Sequence, residues 1–319
     1  MTDVLTVQNI KKYYPVKKGL LRRTVGQVKA VDNVSFVLKK GETFGIVGES
    51  GCGKSTLGRT LLQLAEPTSG SVQYEGKELV NLSFRQLRPI RQEVQMIFQD
   101  PYASLNPRKT VYDILAEPLR IHRLYNKQSF QNIYEMLEKV GLSRKVARRY
   151  PHEFSGGQRQ RIGIARALIL EPKVVIADEP VSALDVSVQA QVLNLMQDLQ
   201  ESMDLTYIFI AHDLSVIKHI STRVGVMYLG KFVELAPKNQ IYENPLHPYT
   251  KALLSVIPSP NRDRARDRIL LSGELPSPQN PPSGCPFHSR CPAKMDICSS
   301  VKPQWQEIEE EHYVACHLY

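Results

Sequence analysis

The sequence lacks the features that would place a protein within a membrane or outside the cell. No apolar run approaches the ~20 residues that a helix needs to span a bilayer. The N-terminal stretch MTDVLTVQNIKK contains no apolar core of signal-peptide length. We therefore expect a protein that is cytosolic or peripheral to a membrane.

Cysteine is scarce, and the close cysteine pairs of most zinc sites are missing. The 319 residues include five cysteines. Four of them follow the spacing C-x5-C-x6-C-x17-C, namely Cys285, Cys291, Cys298 and Cys316. In a reducing cytosol this grouping favours metal ligation over disulfides. Wide, proline-flanked spacing is typical of an iron–sulfur cluster, while zinc, unligated thiols and disulfides are the alternatives.

The overall composition indicates a globular protein without an obvious nucleic-acid surface. Hydrophobic residues make up 42% of the chain and charged residues 23%, which is enough to bury a core. The net charge is +9, but the basic residues are scattered and not interleaved with stacking aromatics. A solvated basic surface explains this pattern better than nucleic-acid binding, which we do not expect.

Alternating strands and helices predict an α/β core with a mainly parallel sheet. A helical insert, rich in Arg, Lys and Gln, interrupts the alternation from about residue 83 to residue 153. We predict an apolar helix face at Val188, Val192, Leu195, Leu199 and Met203. The other predicted elements are strands at Val4–Ile10, Val34–Leu38, Thr43–Val47, Val94–Phe98, Lys173–Asp178, Thr206–Ala211 and Arg223–Leu229, a hairpin at Ser71–Leu79 and a helix at Ser55–Leu64.

A glycine-rich segment, GESGCGKST, lies between a predicted strand and a predicted helix, the context that supports a phosphate-binding loop. Its glycines allow backbone N–H groups to converge on phosphate oxygens at a helix N-terminus. Lys54 is expected to reach the β- and γ-phosphates, and the Ser55 hydroxyl to bind Mg²⁺. The predicted ATP-binding residues of this phosphate loop are Gly48, Glu49, Ser50, Gly51, Cys52, Gly53, Lys54, Ser55 and Thr56.

Polar residues follow three of the predicted strands, where they would face a ligand at the sheet edge. Asp178 is expected to hold Mg²⁺, directly or through water, and Glu179 to polarise the attacking water. His212 could donate a hydrogen bond to the γ-phosphate. The Gln99 amide could contact both the metal and the water. We therefore predict that Lys54, Gln99, Glu179 and His212 are catalytic.

These motifs, with FSGGQ at Phe154–Gln158, resemble the ATPase subunit of an ABC transporter over nearly the whole chain. The resemblance implies a P-loop nucleotide-binding domain of the ABC type, with a RecA-like core, an antiparallel β subdomain and a helical subdomain at about residues 83–160. It also implies a head-to-tail dimer that encloses two ATP molecules. In such a dimer the signature segment of one chain contacts the γ-phosphate bound by its partner, through Ser155, Gly156, Gly157 and Gln158.

Two further expectations follow from the same resemblance. The segment SALD at Ser182–Asp185 corresponds to the D-loop, so Asp185 is assigned to the nucleotide site. Adenine is expected to stack on an aromatic residue near the N-terminus. We choose Tyr14 over Tyr13 for this role, with an ordinary surface or core aromatic as the alternative.

The C-terminal part resembles the extension of dipeptide and oligopeptide importer ATPases. The resemblance rests on HPYTKALLSVIP from His247 and SGELPSPQNPPSGCPFHSRCP from Ser272. In part of that group, four such cysteines bind a [4Fe–4S] cluster. We therefore predict an ABC domain at residues 1–236 and a Pro/Cys-rich extension at residues 237–319.

The function implied is ATP hydrolysis that powers import of dipeptides or short peptides across a bacterial inner membrane. The chain would lie at the cytoplasmic face with a sister ATPase, two membrane-spanning permeases and, indirectly, an extracytoplasmic peptide-binding protein. An importer for nickel or glutathione is an alternative. A soluble ABC ATPase acting on nucleic acid is another, although the insert lacks heptads and only one phosphate loop occurs.

Overall fold

The computed structural model describes residues 2–19, 23–257 and 269–319. Its chain divides into two compact units. The first unit contains Thr2 and residues 39–43 and 81–210; the second contains the described parts of 3–38, 44–80 and 211–319. Residues 258–268 of the predicted extension lie outside the described residues.

The first unit combines parallel strands with most of the helices. Strand β7 pairs in parallel with β6 and with β8, in registers that place Ile97 beside Ala177 and Asp178 beside Ile210. The elements are α2 (Phe84–Glu93), β6 (Val94–Ile97), α3 (Pro101–Ser104), α4 (Val111–Ile121), α5 (Ser129–Lys139), α6 (Gly156–Leu168), β7 (Val174–Asp178), α7 (Val186–Met203) and β8 (Thr206–Ala211). Two 3₁₀ turns, Arg144–Arg148 and Pro151–Glu153, precede α6.

The second unit begins with an antiparallel sheet in the order β2-β1-β4-β5. In this unit β9 pairs in parallel with β3 and antiparallel with β10, and β12 joins β10 to β11. The elements are β1 (Asp3–Lys18), β2 (Arg23–Lys39), β3 (Thr43–Val47), α1 (Lys54–Leu61), β4 (Ser69–Tyr74), β5 (Lys77–Glu78), α8 (Leu214–Ile220), β9 (Arg223–Tyr228), β10 (Lys231–Pro237), α9 (Lys238–Glu243), α10 (Pro248–Ser255), β11 (Gln306–Glu309) and β12 (His312–Val314).

The predicted α/β class and most predicted strands are confirmed. The predicted end of helix α1 and the predicted buried face of helix α7 need correction. Helix α1 ends at Leu61 rather than Leu64, because Gln63 adopts a left-handed backbone (φ 52°) and the amide of Leu64 turns back to the carbonyl of Arg59. The strands β1 and β2 are also much longer than the apolar alternation indicated.

The buried face of α7 differs from the predicted one. Val192 and Leu199 are buried as expected, but the other buried positions are Leu193 and Met196. The remaining predicted members, Val188, Leu195 and Met203, are only half-buried. Two overlapping apolar stripes satisfy the helical period in this sequence, and periodicity alone does not choose between them.

A fully buried acidic residue in β10 holds the C-terminal strands and the following loop together. Glu234 accepts hydrogen bonds from the backbone amides of Leu246 (2.7 Å) and His247 (2.9 Å). The ring of His312 in β12 lies 2.8 Å from the same carboxyl group. Because an unpaired buried carboxyl group is costly, these contacts fix the loop that leads into α10.

His247 itself is completely buried and neutral by consequence. Its Nδ1 accepts a hydrogen bond from the amide of Tyr249 (3.0 Å) and so caps α10. Burial lowers the pKa of His247 from 6.5 to about 4, although Glu234 acts in the opposite direction. The folded protein therefore keeps this ring unprotonated under conditions in which the unfolded chain binds a proton.

We expect the free energy of unfolding to fall on acidification through this residue. The contribution of the neutral His247 ring to the free energy of unfolding is complete above pH 6.5. It is lost as the pH falls toward 4, at about 1.4 kcal/mol per pH unit. His247→Asn retains a capping acceptor but no titrating ring, so its stability should change less across this window. Urea unfolding at a series of pH values measures the difference. An unchanged slope in His247→Asn would contradict the assignment.

Candidate functional site

The phosphate loop connects β3 to α1 and leaves no room for side chains at two of its glycines. A Cβ atom on Gly48 would lie 2.1 Å from the carbonyl oxygen of Met227, and one on Gly53 2.0 Å from that of Ala30. Gly53 also has a left-handed φ of 108° at the N-terminus of α1. A Cβ atom on Gly51 (φ 79°) would meet no other atom within 4 Å, so the loop is open on that side. The loop backbone is thus tightly packed on one side and accessible on another.

The ammonium group of Lys54 lies within the curve of this loop. Its Nζ donates to the carbonyl oxygens of Gly48 (2.7 Å) and Glu49 (3.0 Å). The side chain is buried at 4% exposure, which places a positive charge where phosphate oxygens would enter. Cys52 is buried beneath it, and burial raises the pKa of that thiol. Ser50 is exposed, while Ser55 and Thr56 are half-buried on the first turn of α1.

Two residues that sequence analysis did not assign to the site hold Glu49. The guanidinium of Arg290 makes a bidentate pair with the Glu49 carboxylate, at 2.7 and 3.0 Å. The hydroxyl oxygen of Tyr249 accepts a hydrogen bond from the Glu49 amide (2.9 Å). In the sequence analysis Tyr249 appeared only within the segment HPYTKALLSVIP, as part of the family resemblance. No local sequence pattern identifies Arg290, which is 241 residues from Glu49 in sequence.

In the first unit Asp178 is the last residue of β7 and Glu179 follows it, as expected. Asp178 is buried at 1% exposure, and the amide of Glu179 donates to the carbonyl of Ile210 (2.9 Å). Glu179 has a left-handed φ of 45°, an uncommon conformation for a non-glycine residue. The Gln99 amide donates to its Oε2 (3.1 Å), so the structure brings these two predicted catalytic residues together.

The signature segment forms the N-terminus of α6. Ser155 Oγ accepts from the amide of Gln158 (3.4 Å), and the Ser155 amide donates to the Gln158 side chain (3.2 Å), which completes a capping box. This gives Gln158 a local structural role. A Cβ atom on Gly157 would approach Val188 of α7 to 2.4 Å, so glycine is required there for close packing of the two helices.

The segment SALD is held by hydrogen bonds to its own backbone. Ser182 Oγ donates to the carbonyl of Glu179 (3.1 Å). The Gln189 side chain donates to the carbonyls of Val181 (2.9 Å) and Leu184 (3.0 Å). Asp185 starts α7 with an exposed side chain that makes no capping bond. Gln189 was not predicted, since a glutamine in the first turn of a helix gives no sequence signal.

The remaining nucleotide-site predictions fall on exposed positions of the second unit. His212 directly follows β8 and is exposed. Tyr14 is 41% exposed, with the Lys12 ammonium 4.8 Å from its ring centroid. The neighbouring Tyr13 donates from its hydroxyl to Asp32 (2.5 Å). Of the two tyrosines, Tyr14 therefore has the more accessible ring.

The four C-terminal cysteines are free thiols in the second unit. The amide of Cys285 donates to the carbonyl of Cys298 (2.8 Å). Burial raises the pKa of Cys285 to about 11, with smaller contributions from the other three thiols. Cys291 and Cys316 are half-buried, and burial raises the pKa of each. Among the described residues, however, no group of three or more His, Cys, Asp or Glu side chains is arranged to hold a metal ion.

Within residues 2–19, 23–257 and 269–319, no helix combines the length and the apolar character required to cross a bilayer.

Two family models match the chain, one described as ABC transporter at residues 31–182 and one described as oligopeptide/dipeptide transporter, C-terminal region, at residues 233–298. The oligopeptide transport ATP-binding protein AppF of Bacillus subtilis (strain 168) is 59% identical, over 99% of this chain and 97% of that protein. The dipeptide transport ATP-binding protein DppF of Escherichia coli (strain K12) is 54% identical, over 98% and 93%.

Solved structures of ABC transporter cassettes are similar to this chain in fold. The dimeric structure of MJ0796, a bacterial ABC transporter cassette, is 28% identical with a TM-score of 0.65. The match covers 73% of this chain and 98% of that chain. A second structure of the same cassette, bound to ADP and Pi in a post-hydrolysis state, gives the same values.

Proposed function

The chain belongs to the family of ABC transporter ATP-binding proteins that carry the oligopeptide/dipeptide C-terminal region, and we propose that it hydrolyses ATP to power import of dipeptides or short oligopeptides across a bacterial inner membrane. The observation that carries this proposal is full-length similarity to peptide transport ATP-binding proteins, at 59% and 54% identity. Membership in this family implies ATP with Mg²⁺ and membrane permease partners.

The residues of the phosphate loop suit the phosphates of Mg²⁺–ATP. At Gly48 and Gly53 the loop backbone lies close to neighbouring carbonyl oxygens. At Gly51 there is open space beside the backbone. Bound Mg²⁺ would neutralise charge on the β- and γ-phosphate oxygens, with Ser55 and Asp178 as its protein ligands and Gln99 assisting. Lys54 would transfer its hydrogen bonds from the loop carbonyls to phosphate oxygens. Tyr14 would stack on adenine.

Glu179 is the proposed residue that orients and polarises the attacking water. Its carboxylate accepts a hydrogen bond from Gln99, and its own amide is bonded to the end of β8. Both contacts limit its freedom, as positioning of a general base requires. His212 would donate a hydrogen bond to the γ-phosphate.

The signature segment is proposed to act on the nucleotide of a partner ATPase. With its oxygen already accepting the cap bond, the Ser155 hydroxyl can still donate its proton to a phosphate oxygen. The amides of Gly156 and Gly157 lie at the positive end of a 13-residue helix. Asp185 would lie at the same dimer interface. We further propose that the partner is a sister ATPase, and that the pair binds two permeases at the cytoplasmic face of the inner membrane.

Replacement of Glu179 by Gln tests the chemistry. The amide cannot accept the proton of water, so turnover should fall by about 10²–10⁴-fold while ATP binding stays near wild type. Equilibrium binding of ATP to the purified chain and phosphate release by the assembled transporter measure the two effects. Glu201→Gln, an exposed change in α7, is the matched control, and near-normal hydrolysis by Glu179→Gln would refute the assignment.

The transporter assignment predicts a membrane assembly. Co-expressed with the permeases and the second ATPase of its transporter, this chain should co-purify with them in detergent. Peptides delivered by the cognate binding protein should then stimulate ATP hydrolysis in reconstituted vesicles. Co-purification with nucleic acid or ribosomes, without permeases, would support a soluble ABC ATPase instead.

The four C-terminal cysteines are proposed to bind a [4Fe–4S] cluster, with zinc as the competing occupant. Four thiols on one Pro-rich segment supply the right donors, although in the described residues they are not arranged as a metal site. Protein purified anaerobically should be brown and contain iron and sulfide, and replacement of all four cysteines by Ser should abolish both. Colourless protein with stoichiometric zinc would favour zinc, and absence of both metals would reject metal binding.

A further inference from the structure

The phosphate loop carries an acidic side chain whose charge is neutralised by the C-terminal extension. Glu49 follows Gly48 directly. Both terminal nitrogens of the Arg290 guanidinium donate hydrogen bonds to the Glu49 carboxylate, at 2.7 and 3.0 Å. The Arg290 side chain is 8% exposed and that of Glu49 28%. A bidentate pair in this geometry fixes the direction of the carboxylate as well as its charge.

A second contact from the extension fixes the backbone at the same residue. The amide of Glu49 donates to the hydroxyl oxygen of Tyr249 at 2.9 Å. The Tyr249 ring is fully buried between Tyr228 and Phe287, with centroid distances of 4.8 and 5.4 Å. The point at which the loop leaves β3 is therefore held by a rigid aromatic anchor.

Arg290 is itself held by a tight turn between two of the cysteines. Within this turn the amide of His288 donates to Cys285 (3.1 Å) and the amide of Arg290 to Phe287 (3.0 Å). Phe287 is fully buried at the centre of the turn. The guanidinium thus reaches Glu49 from a segment that is anchored in the core, directly before Cys291.

The chemistry of the expected ligand explains why this pair matters. ATP carries several negative charges, and a free carboxylate beside its phosphates would repel them, strongly so where water is scarce. Arg290 cancels that charge through its bidentate pair with the carboxylate. Loss of Arg290 would leave a negative group at the start of an anion site.

We propose that Arg290 and Tyr249 are positioning residues for ATP binding, through which the C-terminal extension sets the nucleotide affinity of the phosphate loop. This inference rests on the proposed function, in which that loop binds ATP. Both residues act through their contacts with Glu49.

Removal of the guanidinium should weaken ATP binding in a charge-dependent way. Arg290→Ala is expected to raise the Kd for ATP about tenfold, which corresponds to ~1.4 kcal/mol, and to raise the Kd for ADP less. Arg290→Lys should give an intermediate loss, because lysine keeps the charge but not the bidentate geometry. Turnover at saturating ATP should change less than KM. Isothermal titration of the full-length chain with ATP and ADP measures the affinities.

A second substitution separates charge from general damage. In Arg290→Ala, the additional change Glu49→Gln removes the uncompensated carboxylate and should restore most of the ATP affinity. Tyr249→Phe keeps the aromatic packing but removes the acceptor for the Glu49 amide, and should raise the Kd a few-fold. Lys294→Ala removes an exposed positive charge from the neighbouring segment and should leave the Kd unchanged. Thermal unfolding of each variant checks that the fold is retained.

The outcomes distinguish the inference from the function on which it rests. Wild-type affinity in Arg290→Ala, or equal losses for ATP and ADP without rescue by Glu49→Gln, would overturn the positioning role. Lys54→Ala should abolish ATP binding whatever the fate of Arg290. If Lys54→Ala binds ATP normally, the proposed function itself fails; if it loses binding while Arg290→Ala does not, only the present inference fails.

Discussion

The close approach of two glycines to backbone carbonyls is the constraint on which the phosphate loop depends. Gly48 and Gly53 pack against Met227 and Ala30 so closely that even a methyl group would clash. Because the carbonyls belong to strand β9 and to the long strand β2, the loop takes its shape from the surrounding sheets. The N-terminus of α1 and the ammonium of Lys54 are placed as a result.

Contiguous motifs made much of this structure predictable, whereas long-range partners did not. The strands β3 and β8 match their predicted bounds, and the residues after β7 lie where the motif placed them. For β3 the success has a physical basis, since the glycine-rich loop that follows it marks where the strand ends. Arg290 escaped prediction because its role depends on a contact across 241 residues. The buried face of α7 was predicted wrongly because two apolar stripes fit the helical period. The elements packed against the helix, rather than the period itself, decide which stripe is buried.

The backbone at Glu179 shows how surrounding contacts can hold a carboxylate in place without burying it completely. Its left-handed conformation is unfavourable for a side chain with a Cβ atom, and such strain persists only where surrounding contacts impose it. Here the contacts are the bond from its amide to Ile210, the bond from Gln99 and the turn closed by Ser182. A glycine would relieve the strain but would remove the carboxylate. The left-handed backbone and the carboxylate are therefore present together at this position only at a conformational cost.

The contacts of Glu49 also change how the C-terminal extension is interpreted. An appended domain with its own task would not need to place a buried arginine and a buried tyrosine on the phosphate loop of the ATPase. The same turn that presents Arg290 begins at Cys285 and ends just before Cys291, and Phe287 packs within it against Tyr249. Arg290 and the aromatic residues around it therefore share one turn with two of the thiols. Because a close-packed interior transmits strain, a displacement of this turn would also disturb the contacts that Arg290 and Tyr249 make with Glu49.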